Sequence, residues 1–447
     1  MRDGATGQVR RVVVGVCALG VSLAAPVLAA AQAPPTFTKD VAPIFQEKCE
    51  SCHRPDSIAP MSLTTWNEAR PWARAIRARV ADHTMPPWDI DPSVGIQKFK
   101  NDRSLSEAER DTILRWVDAG APQGDPKDMP AARAWPDDQG WNFAPIFGQK
   151  EPDLIVRSPS FTMPAQAQDA WDKRITPSGL TEARWVRAIE IRPATVKGRR
   201  ITHHAIAYLQ QEEPGAPRGP GLAGFFMEWA VGKQGELMRP DTGKLLLPGS
   251  QFRWDIHYSQ AGEEITSHVE MGLYFYPKGQ EPKFRTTLSL VPAALGTMDI
   301  RPHSISMAEG FTPLRENARI ESFQPHMHLR GKAMMVEAIL PGGQRQVISL
   351  VSRFNFNWMT TYVYADDAAP LLPKGTLLKV TSWHDNTAAN KNNPDPTQWV
   401  GWGDRTVDEM AHAWINIIYM NDEDFKAEQE KRRAAQSSSS AEPRERR

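Results

Sequence analysis

Cysteine is the residue that most limits how this chain can fold. The 447 residues contain only three cysteines, Cys17, Cys49 and Cys52. Cys17 lies in a segment with the pattern of a secretory signal, so the mature chain would keep only the other two. Those two are three positions apart and can close no long-range disulfide, although exported proteins normally use cysteines for such bridges. The pair therefore needs another chemical explanation.

The N-terminus carries the pattern of an export signal. Three arginines precede an apolar run at 12–31 that ends in three alanines. A basic start, an apolar centre and a small-residue end predict a secretory signal peptide at 1–31. An uncleaved membrane anchor is the alternative, and Pro26 and the alanine-rich end argue against it. We expect a periplasmic or secreted protein with no stable membrane insertion after signal cleavage.

Charge and length restrict the class of protein. Lys and Arg number 53 against 53 Asp and Glu, so the formal net charge is zero and gives no reason to expect nucleic acid as a partner. Hydrophobic residues make up 40% of the chain, enough for a packed interior. A chain of this length is expected to form two or three domains.

The two remaining cysteines belong to the sequence Cys49-Glu50-Ser51-Cys52-His53. This C-x-x-C-H spacing is the attachment signature of c-type haem. Each thiol can bond one haem vinyl group, and the adjacent imidazole can serve as an axial iron ligand. A zinc site would need partner ligands that no other cysteine can supply, and a thioredoxin-like dithiol would need a βαβ context. The motif predicts one covalent haem c.

The sixth iron ligand has two candidates. Met85 follows His53 by 32 residues in a proline-rich loop, whereas Met61 follows it by 8, which is short for reaching the other haem face. We favour Met85. Both residues could instead be packing methionines.

The segment 36–122 resembles a small class I cytochrome c domain. Val41, Phe45 and Cys49 fall on one face of a short helix that runs into the haem motif. A capping box at Ser106–Glu109 begins a later helix, and Gly120 ends it. The resemblance implies an all-α domain, followed by a proline- and tryptophan-containing linker at 123–151.

From residue 152 onward the pattern changes to short alternating runs separated by turns that contain proline and glycine, which is typical of antiparallel β sandwiches. The length allows two such domains, predicted at 152–291 and 292–425. The charged, serine-rich tail at 426–447 is predicted to be disordered.

Histidines cluster in the β region. His203 and His204 are adjacent, His257 lies in an alternating run, and His326 and His328 have the i, i+2 spacing that puts two side chains on one strand face. Adjacent strand residues normally point in opposite directions, so His203 and His204 could share a metal only where the backbone bends.

The types of residue restrict which metal the site could bind. Imidazoles suit copper, zinc or iron, and a thioether selects Cu(I). Because no cysteine remains, blue-copper and multicopper oxidase sites are excluded. No carboxylate lies at the spacing from His326 that an iron facial triad would need.

Four short motifs follow one another in the β region: His203-His204, His257-Tyr258, Pro325 to Gly331 and Asp408-Glu409-Met410. In this order they resemble the copper type II, ascorbate-dependent monooxygenases over about 155–420. That family includes peptidylglycine alpha-hydroxylating monooxygenase and dopamine beta-hydroxylase. The family's disulfides are absent here, and a cytochrome segment precedes the β region.

The resemblance implies a fold and a set of metal ligands. The fold would be multidomain: a small all-α cytochrome c domain followed by all-β tandem jelly-roll sandwiches, with two coppers facing each other across a solvent-filled cleft. The electron-transfer copper would be held by His203, His204 and His257. The copper that binds dioxygen would be held by the catalytic set His326, His328 and Met410.

The remaining histidines of the β region are weaker candidates for metal ligands. We interpret His268, His303 and His412 as structural or surface residues. His384 precedes a loop at 390–396 that could line the cleft.

The sequence therefore predicts an exported haem- and copper-containing monooxygenase that hydroxylates a C–H bond of a small molecule or peptide with dioxygen. The haem would relay electrons from an external donor to the coppers. The alternatives are a non-catalytic copper and haem electron-transfer or copper-handling protein, and an adhesion or scaffold module with a vestigial site.

Overall fold

The computed structural model describes residues 33–55, 57, 59–135, 140–213 and 224–441. The predicted signal peptide at 1–31 and the last six residues of the predicted tail lie outside the described residues. The described part is β-rich, with 38% of residues in strands and 18% in helices. This confirms the β-rich prediction. Among the described residues, no helix is long and apolar enough to cross a membrane.

The helices are short except at the C-terminus. A π-helical turn lies at Phe37–Val41, and short 3-10 helices lie at Arg70–Trp72, Pro126–Asp128 and Ala144–Phe147. The α-helices are α1 (Ala42–Lys48), α2 (Trp66–Ala69), α3 (Ala73–Ala81), α4 (Glu107–Asp118), α5 (Val196–Ile201) and α6 (Asp422–Ala441).

The strands of the described residues, in chain order, are β1 (Ile90–Gly95), β2 (Leu154–Arg157), β3 (Phe161–Met163), β4 (Ala170–Asp172), β5 (Ile175–Pro177), β6 (Arg184–Pro193), β7 (Thr202–Gln210), β8 (Phe225–Ala230), β9 (Glu236–Leu237), β10 (Thr242–Leu246), β11 (Gln251–Tyr258), β12 (Ile265–Ser267), β13 (Val269–Phe275), β14 (Phe284–Ala294), β15 (Asp299–Ile300), β16 (Ile305–Pro313), β17 (Asn317–Met327), β18 (Gly331–Ile339), β19 (Arg345–Val351), β20 (Tyr362–Val363), β21 (Leu371–Leu372), β22 (Leu377–Asp385), β23 (Val400–Gly401) and β24 (Ala411–Met420).

One long sheet connects the two halves of the β region. Its order is β2-β13-β6-β10-β14-β24-β17-β20, and the parallel pairing of β10 with β14 joins the halves. A second sheet, β4-β11-β7-β8, packs over the first half, and a third, β1-β19-β18-β22-β16, packs over the other. The strands that carry the histidines therefore come from both halves.

Each pair of facing sheets encloses its own hydrophobic core. In the first half, Ile189 and Leu273 of the long sheet share a core with Trp254 of the second sheet. In the other half, Ile415 of β24 shares a core with Val336 of β18. These strands alternate inward apolar residues with outward ones, which is the pattern that face-to-face sheets require.

The helical N-terminal segment has a separate core. Phe37, Phe45 and Trp116 are almost fully buried and their ring centroids lie 5.9 to 6.3 Å apart. Reciprocal hydrogen bonds between Ser106 and Glu109 cap α4, as the capping-box pattern predicts. The structure confirms two predicted helices: α1, which runs into the haem motif, and α4, which begins at the capping box.

Part of the predicted cytochrome segment belongs to a sheet. Strand β1 pairs with β19, and Trp88 packs against Tyr362 with ring centroids 4.8 Å apart. The sequence reads as helical over the whole of 36–122, and the structure differs from that interpretation around β1. The reason is tertiary: Trp88 and Ile90 gain burial by completing the core beneath β18 and β19.

The segment between the helical core and the first long β-strands is also held in place. The buried carboxylate of Glu190 accepts hydrogen bonds from the backbone N–H groups of Asn142 and Phe143 and from the hydroxyl of Tyr274. Part of the predicted linker at 123–151 is therefore tied to β6 and β13, while 136–139 lie outside the described residues.

The C-terminal segment corrects the prediction of a disordered tail at 426–447 over its described part. Residues Asp422–Ala441 form α6. Glu428 accepts a hydrogen bond of 2.8 Å from the fully buried guanidinium of Arg319, which needs carboxylate partners inside the protein. This contact, which composition does not reveal, fixes the first turns of the helix.

Asp89, next to β1, provides a test of the contact between the N-terminal segment and the sheet. Burial raises the pKa of Asp89 from 3.8 to about 6, partly offset by the Arg353 charge. The folded state therefore holds a proton that the unfolded chain releases, so stability from this group is complete below about pH 4 and is lost as the pH rises through 6. The loss is up to about 3 kcal/mol at pH 7.

We expect Asp89→Asn to remove this loss, because the amide cannot ionise. Urea unfolding should find the variant more stable than the wild type at pH 7 and nearly equal to it at pH 4. An effect of the same size at both pH values would contradict the burial of Asp89.

Candidate metal centre

A β-bulge brings the first three histidines together. His204 of β7 lies opposite His257 of β11, and the next pair is Thr202 with Tyr258, so His203 is the extra residue on its strand. A bulge turns a side chain out of strict alternation. This supplies the backbone bend that adjacent histidines need to face one metal.

The result is a compact set of nitrogen atoms. One ring nitrogen from each of His203, His204 and His257 lies within 4.8 Å of the others. The Nδ1 atoms of His203 and His204 are 3.2 Å apart. Within the described part of the chain, this is the group of histidine, cysteine and carboxylate side chains whose spacing suits a metal ion.

A carboxylate fixes which nitrogen of His257 is available. Nε2 of His257 lies 3.0 Å from Oδ2 of Asp169, which also accepts a hydrogen bond from the hydroxyl of Thr406. Because the carboxylate only accepts, Nε2 carries the proton and Nδ1 keeps its lone pair. That buried Nδ1 has no hydrogen-bond partner. An unpaired buried lone pair beside two other imidazoles is what a metal ligand offers before its ion binds.

The electrostatics favour neutral imidazoles. Burial, with the neighbouring histidines, lowers the pKa of His203 to about 4 and that of His204 well below its ordinary value. Burial raises the pKa of Asp169, but the hydrogen bonds from Thr406 and His257 outweigh it and leave the carboxyl pKa below normal. The site therefore presents lone pairs rather than positive charge at neutral pH.

The second set lies where β17 meets β24. His326 is near the end of β17, and the ring of His328, just past that end, has its centroid 5.5 Å from the His326 ring. Nδ1 of His328 donates a hydrogen bond of 3.0 Å to the carbonyl of Asp408, which leaves Nε2 with the free lone pair. Both side chains are buried, with exposed fractions of 7% and 5%.

A buried glutamate joins the two chain segments of this set. Glu409 accepts hydrogen bonds from the backbone N–H groups of His328 and Arg330. Burial raises the pKa of Glu409 to about 8, although those N–H groups oppose the shift. Met410 follows Glu409 directly, so the candidate thioether is carried by the segment that is bound to His328.

His384 belongs to this second set as a supporting residue. Its Nε2 lies 3.4 Å from the carbonyl of Met410 and 3.8 Å from Glu409. The loop that follows it is tied back to the same place, because the amide of Asn390 donates to the carbonyl of Leu329. The loop at 390–396 therefore buttresses the His328 segment.

The two histidine sets touch each other. The ring centroids of His204 and His326 are 6.0 Å apart. This corrects the expectation of a solvent-filled cleft between the sets, because the parallel joining of β10 to β14 packs the two halves side by side. We call the joined residues His203, His204, His257, His326, His328 and His412 the histidine cluster.

His412 is the residue that sequence reasoning missed. It lies opposite His326 on the neighbouring strand, and the two rings stack at 4.4 Å. Its Nε2 is buried without a partner, and burial lowers its pKa to about 3. The sequence offers one clue to His412: it lies two residues after Met410, a spacing that puts both side chains on the same face of an extended chain. The other two histidines interpreted as structural lie outside the cluster: His268 is half-buried beside Glu270, and His303 is exposed.

The haem-motif residues line one cavity of about 320 Å³ in the helical segment. Cys49, Cys52 and His53 lie on its wall together with both candidate methionines, Met61 and Met85. The rest of the wall is mainly aliphatic and aromatic, and both cysteines are free thiols. Burial raises the pKa of the Cys49 thiol to about 12.

The imidazole of His53 is oriented by the chain itself. Its Nδ1 donates a hydrogen bond of 3.1 Å to the carbonyl of Met61, so Nε2 keeps its lone pair. The backbone of Met61 therefore lies behind the His53 ring, on the side away from Nε2.

No protein-family model and no curated protein matches this sequence. Among solved structures, a protein of the infectious bursal disease virus Gx strain is 8% identical, with a TM-score of 0.17, over 64% of this chain and 74% of that one. An uncharacterised protein of Listeria monocytogenes EGD-e is 10% identical, with a TM-score of 0.15, over 63% of this chain and 21% of that one. Likenesses this weak carry no argument about fold or function.

Proposed function

We propose that this chain is an exported monooxygenase that carries one covalent haem c and two copper ions and hydroxylates a C–H bond of a small molecule or peptide. One observation carries the proposal. The same chain has a cluster of six buried or half-buried imidazoles and a cavity lined by a C-x-x-C-H motif. The finer fold is proposed as two jelly-roll sandwiches behind a cytochrome c segment. The family resemblance of the ordered histidine and methionine motifs supports both parts.

The residues present fit copper. All donors of the first set are imidazoles, and the buried Nδ1 of His257 lacks a partner. Zinc would accept the same donors, but it has no redox chemistry and gains nothing from a thioether such as that of Met410. A chain that also offers a haem cavity favours a redox metal. When bound, copper supplies one-electron chemistry and activation of dioxygen.

The residues of the cavity fit haem equally well. Two thiols at the required spacing, a free Nε2 on His53 and an apolar wall are the groups that covalent haem needs. The carbonyl of Met61 is used by His53, so Met85 would be the better candidate for the second iron ligand. Haem supplies a reversible one-electron carrier.

The protein's own residues would hold and orient the metals. Asp169 holds His257 in the tautomer that leaves Nδ1 free, and the Asp408 carbonyl does the same for Nε2 of His328. Phe356 stacks on His203 at 4.7 Å and lies 6.2 Å from His328, so one aromatic ring lies beside both sets. Preorganised ligands of this kind lower the cost of binding and of changing oxidation state.

The second candidate function is a non-catalytic copper and haem electron-transfer protein. The observation that favours it is the ring-to-ring contact of His204 with His326, with Phe356 lying over both sets. Such packing leaves less space for a substrate than an open cleft would.

Oxygen-18 labelling separates the two functions. The haem- and copper-loaded protein, reduced with ascorbate, is incubated with a periplasmic metabolite extract under labelled dioxygen, and products are analysed by mass spectrometry. The monooxygenase predicts a labelled hydroxylated product that disappears with His326→Ala. Copper-loaded protein that forms no labelled product supports the electron-transfer function instead.

Asp169 provides a quantitative test of the first copper set. Asp169→Asn keeps the shape of the side chain but removes the charge that fixes the His257 tautomer. We expect copper affinity at this set to fall about 10- to 100-fold, the usual effect of losing such a partner. Titration against a chelator of known affinity measures it. Thr406→Val, which removes only the second hydrogen bond to Asp169, is the control and should have a smaller effect. Unchanged affinity in Asp169→Asn would rule out this role.

A further inference from the structure

One short segment connects the haem cavity with the histidine cluster. Residues 354–360 lie in the connection between β19 and β20 and contain Phe356 and Trp358, two positions apart. Trp358 lines the cavity that also holds Cys52 and Met85. Phe356 stacks on His203 at 4.7 Å, with an interplanar angle of 21°. Two aromatic side chains of one segment therefore meet the two proposed redox centres.

The segment is held in a defined shape. The N–H of Phe354 donates to the carbonyl of Lys332, at 2.8 Å, and the N–H of Trp358 donates to the carbonyl of Asn355, at 3.0 Å. Arg353, just before it, donates to the carbonyls of Asp82 and His83 next to the haem cavity. These contacts tie the segment to both the sheet and the helical core.

The position of Trp358 depends on a close approach. A Cβ added at Gly232 would lie 3.2 Å from the Trp358 ring, and Gly232 has a φ of +94°, which side chains rarely adopt. The ring therefore packs directly on the backbone of the turn that follows β8. Strand β8 pairs with β7, the strand that bears His203 and His204.

We propose that Phe356 and Trp358 form the electron path from the haem to the histidine cluster. The inference rests on the proposed function, because it assumes haem in the cavity and copper at the histidines. One electron leaves ferrous haem and reduces Cu(II) to Cu(I), leaving ferric haem. No bond is made or broken and no proton moves. An external one-electron donor of the ascorbate class restores the ferrous haem.

The geometry favours this path for a physical reason. Electron tunnelling falls off faster across empty space than through packed atoms. Two residues in sequence span only about 7 Å of backbone, and each aromatic ring fills the gap to one centre. Phe356 also lies 6.2 Å from His328, so the same ring faces both histidine sets.

Trp399 provides a matched control. It is 62% exposed, its indole N–H donates to the carboxylate of Asp299, and it is not among the residues that line the haem cavity. Trp358→Leu and Trp399→Leu therefore make the same chemical change at two places. Only the first should interrupt a path to the histidine cluster.

The test measures electron transfer without turnover. Haem- and copper-loaded protein without dioxygen receives one electron from a flash-excited flavin donor. Reoxidation of ferrous haem is followed by its visible absorption, and loss of Cu(II) by electron paramagnetic resonance. We expect Trp358→Leu and Phe356→Leu each to slow reoxidation at least about tenfold, equivalent to about 1.4 kcal/mol of activation free energy. Trp399→Leu should change it little.

The haem potential and the Cu(II) spectrum of each variant are recorded, so a slower rate at unchanged potential and spectrum assigns the effect to the path. Equal rates in wild type and Trp358→Leu would overturn the path while leaving the proposed function intact, provided the oxygen-18 product still forms. A wild type that holds both cofactors but transfers no electron between them would overturn the path together with the haem relay.

Discussion

Replacing both Cys49 and Cys52 with alanine is expected to reduce covalent haem from one per chain to none. These two residues are the free thiols of the described chain, and both line the cavity that contains His53. Without thioether bonds, haem would be held only by its axial ligands and by apolar contact, and it would be extracted on denaturation. Haem staining after denaturing electrophoresis measures the loss.

Cys17→Ala is the matched control for that experiment. Cys17 lies in the predicted signal peptide, so the mature chain should keep its full haem content. Haem staining that persists in the double variant would contradict the attachment of haem at Cys49 and Cys52. Copper content should stay unchanged in both variants, because the histidine cluster lies in the β region.

His326→Ala is expected to remove one of two copper ions per chain and leave the haem spectrum unchanged. His326 is 7% exposed and its ring contacts both His204 and His412. Removing this buried imidazole takes away one of the proposed ligands of the second set. The contact with His204 also predicts that the remaining copper shows an altered spectrum, because its neighbour has changed.

His268→Ala is the control for this substitution. His268 is a half-buried histidine of the same β region that lies 3.8 Å from Glu270 and outside the cluster. Metal analysis should find two coppers per chain in this variant, as in the wild type. Two coppers retained in His326→Ala would show that the second set is not a copper site.

The sequence predicts the parts of the site that depend on local spacing. The C-x-x-C-H motif, the capping box at Ser106 and the i, i+2 pair His326 and His328 all depend on residues close together in the chain. The structure brings each of these groups into the expected local arrangement. Short-range geometry is set by few backbone angles, so spacing alone is informative there.

Long-range features could not be predicted in the same way. The bulge at His203 exists because β7 pairs with β11 in a particular register, and no local pattern encodes that register. The stacking of His412 on His326 likewise depends on which strand lies beside β17. The contact between the two histidine sets follows from the pairing of β10 with β14.

In two places, packing against residues distant in sequence decides the local structure, against the expectation from composition. Residues around Trp88 form a strand because the neighbouring sheet offers an apolar face. The charged C-terminal segment forms α6 because the buried Arg319 needs the carboxylate of Glu428. In both cases the deciding partner lies more than 100 residues away in sequence.

We infer that one chain holds both haem at Cys49 and Cys52 and copper at the histidine cluster. The most direct measurement is the copper and haem content of the full chain, expressed with export and cytochrome c maturation, loaded with copper and freed of loosely bound metal. We expect one haem and two coppers per chain. Fewer than one copper per chain in protein that carries its haem would contradict it.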